Sequence, residues 1–291
     1  MKINNVIICG LGALGQTYAN KLQNKCNLKI LVDTERLEKY KKQPPNFNGH
    51  NLNLDYITPN ENFEADLIII STKASGLDSA IEYINNFVTP KTIIISLING
   101  ISSEEIIAKK YPDNIIRSFF IGGSAIRHDN KVLQDGKGKI VIDKNHILED
   151  FFNSAQIDYE VAEDIIYSQW VKLGVNIILN EPSAIYGLTV GELRKKDNYQ
   201  NLVKELISEI KRVAQLCKVR NLENYEHDVL FSADLVSDYG KTSMLQDVLA
   251  KRKTEIDIFS GEIINLAKKM GIETPYNLEM YAKIKEIEGS Y

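Results

Sequence analysis

Lys172, Asn176 and Asn180 recur at four-residue intervals within WVKLGVNIILN (170–180), a segment otherwise built of Trp, Val, Leu, Ile and Gly. On a helix of 3.6 residues per turn, the three side chains form one narrow polar stripe. A lysine can offset charge growing on a carbonyl oxygen and also give up a proton to it. Asparagines can hold hydroxyl and carboxylate groups without adding charge. An unpartnered ammonium among apolar groups costs several kcal/mol, so such a lysine needs a partner or a task. The same surroundings lower its pKa towards the range of a useful acid. Glu255 is the matching carboxylate: on a helix drawn over 243–270 it shares a face with Met244, Val248, Phe259 and Leu266, and so points inward. A buried Lys172–Glu255 ion pair is the alternative to a catalytic role for the two.

A second group of residues suits a nucleotide. GLGALG (Gly10, Leu11, Gly12, Ala13, Leu14, Gly15) matches G-x-G-x-x-G directly after an apolar run and before a helical pattern. There the first glycine permits a tight turn, the second a close pyrophosphate, and the third a close helix–strand contact. Asp33 ends the next apolar run, where a carboxylate accepts from ribose hydroxyls and favours NAD. Arg36, Lys39, Lys41 and Lys42 follow closely, so a 2′-phosphate site stays open. Lys73 in STKAS and Asn99 in LINGIS lie just past the third and fourth runs, at the strand ends where open α/β sheets place ligands. An exposed loop lysine and an Asn-Gly turn are the plainer readings of those two.

The elements that must position these residues are legible as a change of period. NVIIC (5–9), LKILV (28–32), ADLIIIST (65–72), TIIISLI (92–98) and NIIRSFF (114–120) are apolar runs without alternation, separated by helical patterns. SSEEIIAKKY among these has a capping-box start. Such strands belong to a parallel sheet covered on both faces. VLQDGKGKIVID reads as a hairpin or strand pair closing that domain. From residue 164 onward the patterns over 164–180, 199–218, 222–238, 243–270 and 276–288 are all helical. The fold expected is therefore α/β: an N-terminal Rossmann-like, doubly wound parallel sheet (1–163), followed by an all-helical C-terminal domain (164–291).

Composition narrows the function. With 35 basic and 39 acidic residues the net charge is −4, which excludes an obvious nucleic-acid or anionic-membrane partner. Cys9, Cys26 and Cys217 form no CxxC pair, and the four histidines are scattered, so no disulfide framework or metal site is expected. The opening MKINNVIICGLGALG has neither a basic n-region nor a run long enough to span a bilayer, and a reduced, cytoplasmic protein is expected.

Taken in order, GLGALG, STKAS, LINGIS, WVKLGVNIILN and TSMLQDVLAKRKTEIDIFSGEII resemble the successive motifs of the ketopantoate reductase (2-dehydropantoate 2-reductase) family over essentially the whole chain. The resemblance implies NADPH-dependent reduction of 2-dehydropantoate to pantoate, on the route to pantothenate and coenzyme A, in a cleft between the two domains. It implies Lys172 as proton donor, Asn176, Asn180 and Ser243 as substrate ligands, and Glu255 as a carboxylate contacting the ligands. Asn99 would touch cofactor and substrate, and Lys73 the cofactor. Three positions depart from the pattern: Gly240 and Val190 stand where substrate asparagines occur, and Asp33 where a phosphate-binding arginine would. NAD therefore remains open beside NADP, and another branched 2-oxo acid beside ketopantoate. A catalytically silent nucleotide sensor and, more remotely, a polyol or sugar-acid dehydrogenase are the remaining alternatives. A homodimer is compatible with apolar helices such as 199–218.

Overall fold

Apolar runs without alternation must be covered on both faces, and the chain supplies that cover by alternating them with helices. A computed structural model describes residues 2–291. It divides into two compact units, one running to Ile165 and the other Ile166–Tyr291.

The first unit comprises β1 (Asn5–Cys9), α1 (Ala13–Leu22), β2 (Asn27–Leu31), α2 (Thr34–Lys42), the two-residue strands β3 (Asn46–Phe47), β4 (His50–Asn51) and β5 (Tyr56–Ile57), and β6 (Leu67–Ile70). It continues with α3 (Leu77–Tyr83), β7 (Ile93–Ser96), α4 (Ser103–Ala108), β8 (Ile115–Ile116), β9 (Ser118–His128), β10 (Lys131–Ile142), α5 (His146–Ala155) and β11 (Tyr159–Val161). Six strands form one sheet in the order β5-β2-β1-β6-β7-β8, every pair parallel. Numbered among themselves along the chain, its strands run 3-2-1-4-5-6, the doubly wound order of a Rossmann sheet. The order reverses between β1 and β6, so the loops leaving those two strands flank the ligand crevice. Ile8, Ile30, Ile69 and Ile95 are fully buried in its core.

Three expectations in this unit need correction. The run 114–120 is not one strand: Ile115–Ile116 closes the parallel sheet, whereas Ser118 begins β9 in a second sheet. VLQDGKGKIVID forms the strand-pair alternative and not a hairpin of its own, because β10 runs straight through DGKG and pairs antiparallel with β9. A register shift between Asp135 and Gly138 absorbs the glycines as a bulge, and the ring of Phe120 lies where a Cβ on Gly138 would stand, 2.1 Å from its Cζ. The capping box expected at 102–105 does not form either, since Ser102 makes no side-chain cap bond.

Helix α6 (Ile165–Tyr186) leads into the second unit, followed by α7 (Val190–Arg194), α8 (Tyr199–Leu216), α9 (Tyr225–Asp234), α10 (Ser243–Leu249), α11 (Ser260–Lys269) and α12 (Pro275–Gly289). Every regular element of this unit is helical. The helix expected over 243–270 is broken. Lys251 turns left-handed (φ 51°), and the amide and hydroxyl of Thr254 both donate to Glu288 Oε1 of α12, each at 2.7 Å. Glu255 therefore precedes a single 3₁₀ turn, Ile256–Ile258, and shares no helix face with Met244 or Leu266. No helix among the described residues is long and apolar enough to cross a membrane.

Candidate active site

The glycine loop divides its labour residue by residue. Gly10 sits at φ +103°, and a Cβ there would lie 2.8 Å from the backbone of Ser71 and Thr72 in the loop after β6. Ser71 Oγ donates to the Gly10 carbonyl at 2.8 Å, locking the two crevice loops together. A Cβ on Gly15 would stand 1.9 Å from the Gly10 carbonyl oxygen, so α1 approaches β1 only because Gly15 has none.

Gly12 is different. Its φ of −71° suits any residue, and a Cβ would meet only Ser71 O at 3.7 Å and Arg127 Nη1 at 3.8 Å. Nothing in the chain itself requires glycine there, as expected if the space belongs to a ligand. Gly12 also caps α1 without a side-chain bond, leaving the first N–H groups of that helix to an anion. Thr72 Oγ1, in the facing loop, is buried without a hydrogen-bond partner among the described residues. These features fit a dinucleotide. Arg127, on β9 and over a hundred residues downstream, brings a cation to the loop that no local motif announces.

Asp33 is occupied with its own helix. Its Oδ1 accepts from the Arg36 amide at 2.7 Å as the N-cap of α2, and its Oδ2 lies 3.8 Å from Arg36 Nε. The anion-binding end of α2 thus already holds a carboxylate. Lys73 and Asn99 lie in the loops after β6 and β7, Lys73 exposed and Asn99 half-buried, beside Gly100 at φ +92°. Cys9, at the end of β1, is buried, and desolvation pushes its thiol up to about 12, far from a nucleophile's range.

In the second unit the polar stripe of α6 is real but less enclosed than its sequence suggests: Lys172 and Asn176 are half-buried and only Asn180 is buried. Asn180 Nδ2 donates to Asn176 Oδ1 at 3.2 Å, and Asn180 Oδ1 accepts from Ser243 Oγ at 3.1 Å. This joins three of the sequence-predicted substrate positions in one network. The assignment leaves Asn176 Nδ2 buried with no partner among the described residues, a donor that an oxygen-rich ligand would satisfy. Ser243 is held there because Thr242 caps α10, accepting from Leu245 N at 3.2 Å and donating to Ser183 Oγ of α6 at 3.2 Å.

Directly after Asn180 the helix lacks one backbone hydrogen bond. Pro182 has no N–H for the carbonyl of Ile178 one turn earlier. The hydroxyl of Tyr199, at the start of α8, donates to that carbonyl at 2.9 Å instead. Two of the three family departures also touch each other: Val190 is fully buried at the start of α7, and its amide donates to the Gly240 carbonyl at 3.4 Å. Gly191 N donates to Asp238 O in the same loop, at 2.9 Å.

A doubly wound sheet with a glycine loop at its switch point, joined to a helical unit carrying a lysine–asparagine stripe, defines a nicotinamide-dependent oxidoreductase. Comparison with known proteins gives the family. The ketopantoate reductase PanE/ApbA model matches residues 6–146, and that of its C-terminal domain matches residues 164–288. A 2-dehydropantoate 2-reductase of Streptococcus pyogenes is 27% identical, with 93% of this chain and 94% of that protein covered. One from Pyrococcus horikoshii is 28% identical, with 97% of each covered. A solved structure of D-mandelate dehydrogenase with NADH and anilino(oxo)acetate superposes with a TM-score of 0.88 at 24% identity, covering 100% of this chain and 99% of that one. The chain belongs to the ketopantoate reductase family.

Proposed function

We propose that this protein reduces 2-dehydropantoate to (R)-pantoate with a nicotinamide nucleotide, serving pantothenate and coenzyme A synthesis. The observation that carries the proposal is the Asn176–Asn180–Ser243 network with its unused buried donor, on the same helix stripe as Lys172. A reduced nicotinamide, when bound, supplies the hydride. The chain's own groups do the rest. The first N–H groups of α1, with Lys73 and Asn99, hold the nucleotide. Asn176, Asn180 and Ser243 fix the oxygen atoms of the oxo acid, with Asn99 as a further contact. Lys172 stabilises the charge that grows on the ketone oxygen and then gives it a proton, while Glu255 keeps the site polar around that ammonium.

The family resemblance implies NADPH. Asp33 favours NADH as a second reading, because a 2′-phosphate would approach a carboxylate that already occupies the end of α2. The paired departures at Val190 and Gly240 support, as a second substrate, another branched 2-oxo acid. The experiment follows absorbance of the reduced nucleotide with 2-dehydropantoate, NADPH and NADH in parallel, for wild type and Lys172→Ala. Wild type should consume one nucleotide rapidly, and the variant should lose about 10²–10⁴-fold in kcat. Binding of nucleotide without turnover of any oxo acid would instead mark a silent sensor.

A further inference from the structure

One fully buried carboxyl has no part in that chemistry. Glu181 follows Asn180 on α6, is 0% exposed, and meets Ser260, the first residue of α11. Ser260 N donates to Glu181 Oε1 at 3.0 Å, and Ser260 Oγ lies 2.6 Å from Glu181 Oε2 and 3.0 Å from Asn277 Oδ1 of α12. The orientation of Asn277 is fixed from its other side, where Nδ2 and the backbone amide both donate to Glu209 Oε2 of α8, at 2.7 and 2.9 Å. Tyr276 N gives Glu209 Oε1 a third bond, at 2.9 Å.

Counting protons decides the state of Glu181. A serine hydroxyl has one hydrogen to give. Were Glu181 ionised, Ser260 could satisfy either Glu181 or Asn277, and the other oxygen pair would face lone pair to lone pair inside the protein. With a proton on Glu181 Oε2, every member is satisfied: Glu181 donates to Ser260, Ser260 to Asn277, and Asn277 to Glu209.

We propose that Glu181 is a neutral carboxylic acid in the folded protein and a positioning residue, its proton completing a one-way chain that fixes the Asn180 turn of α6 to α11, α12 and α8. Its role towards substrate rests on the reading of Asn180 as a substrate ligand. The groups that face it agree. Ser260 and Asn277 are neutral, and this hydrogen-bond chain ends on Glu209, whose two oxygens accept three N–H bonds as a carboxylate does and so would oppose a second negative charge. Burial is the dominant cause and raises the carboxyl of Glu181 from 4.5 to about 8, outweighing what the ionised form would gain from Ser260. Pro182 has already removed one backbone bond at this turn, so its geometry depends on side chains.

The test compares wild type with Glu181→Gln, whose amide can donate to Ser260 as the protonated acid does, and with Glu181→Leu, which cannot. Folding constants are measured by urea titration, and substrate KM and kcat by rate assay, from pH 5 to well above pH 8. A folded-state value raised from 4.5 to about 8 means stability present below pH 4.5 and lost as pH rises through 8. Wild type should therefore lose close to tenfold per pH unit in its folding constant relative to Glu181→Gln, levelling above pH 8. Glu181→Gln should keep wild-type kcat and a pH-independent KM, while wild-type KM rises through pH 8; Glu181→Leu should raise KM at every pH. Parallel folding curves for wild type and Glu181→Gln would overturn the proton assignment, whether or not the protein turns over ketopantoate. A one-proton difference in folding with identical KM profiles would overturn the positioning role.

Discussion

Tyr199→Phe removes a single oxygen, the one that stands in for the amide Pro182 lacks. Tyr199 is 5% exposed and its hydroxyl lies 2.9 Å from the Ile178 carbonyl. Without it the carbonyl remains buried and unpaired, a loss of about 1–3 kcal/mol. If substitution for the missing amide is the reason for that bond, the cost must depend on the proline. In a Pro182→Ala background the new N–H can reach Ile178 within the helix, and Tyr199→Phe should then cost less than about 0.5 kcal/mol. The coupling expected from the four-variant cycle is thus at least about 0.5 kcal/mol. Trp170, the only tryptophan in the chain and 4% exposed on the same helix, reports unfolding of the helical unit by fluorescence. At a urea slope of about 1–3 kcal/mol per molar, a 2 kcal/mol loss moves the midpoint by roughly 1 M. Equal losses with and without the proline would refute the reasoning and leave Tyr199 as an ordinary packing residue.

Two glycines of the nucleotide loop should part company. Gly15→Ala, whose Cβ would sit 1.9 Å from Gly10 O, should destabilise the first unit by about 3 kcal/mol and abolish nucleotide binding together with it. Gly12→Ala meets nothing closer than 3.7 Å, so its thermal melt should match wild type while nucleotide affinity, by titration calorimetry, falls at least tenfold; unchanged affinity would mean that no ligand uses that space. Asp33→Ala removes the cap of α2 at a cost of about 0.5–2 kcal/mol. It should also raise the NADPH-to-NADH affinity ratio about tenfold or more, and a ratio that does not move would show that Asp33 does not select the nucleotide.

The sheet was legible because its signals are local. An unalternating apolar run has one physical solution, and the glycine loop announces itself within six residues. The stripe on α6 was legible for the same reason, since three polar residues at one helical spacing need no partner to be noticed. What failed was whatever depends on a distant group. Periodicity carried the 243–270 helix through Thr254, because Leu245 before the true break and Ile256 after it are both buried. The break itself is made by Glu288, thirty-four residues away. The hairpin reading of VLQDGKGKIVID failed because the ring that occupies the place of a Gly138 Cβ belongs to Phe120, on the neighbouring strand. Arg127 and Glu181 went unnoticed for want of any local pattern; a glutamate before a proline in a helix interior is the one hint the second offered.

Val190 and Gly240 show how such long-range pairing bears on specificity. Considered separately along the chain they are two departures from the family pattern. In the fold they are one joint, the amide of the first bonded to the carbonyl of the second, with Val190 closed off from solvent. An asparagine restored at 190 alone would be buried where the backbone of the 238–240 loop is already satisfied, and would meet no substrate unless that loop moved. The groups that would do the chemistry are anchored elsewhere, through Asn180 to Ser243 and through Thr242 to Ser183. Under the proposed assignment, the oxo-acid contacts Asn180 and Ser243 and the joint at 190 and 240 are separate contacts of the helical unit, so the joint can change as a pair without disturbing the Asn180–Ser243 bond.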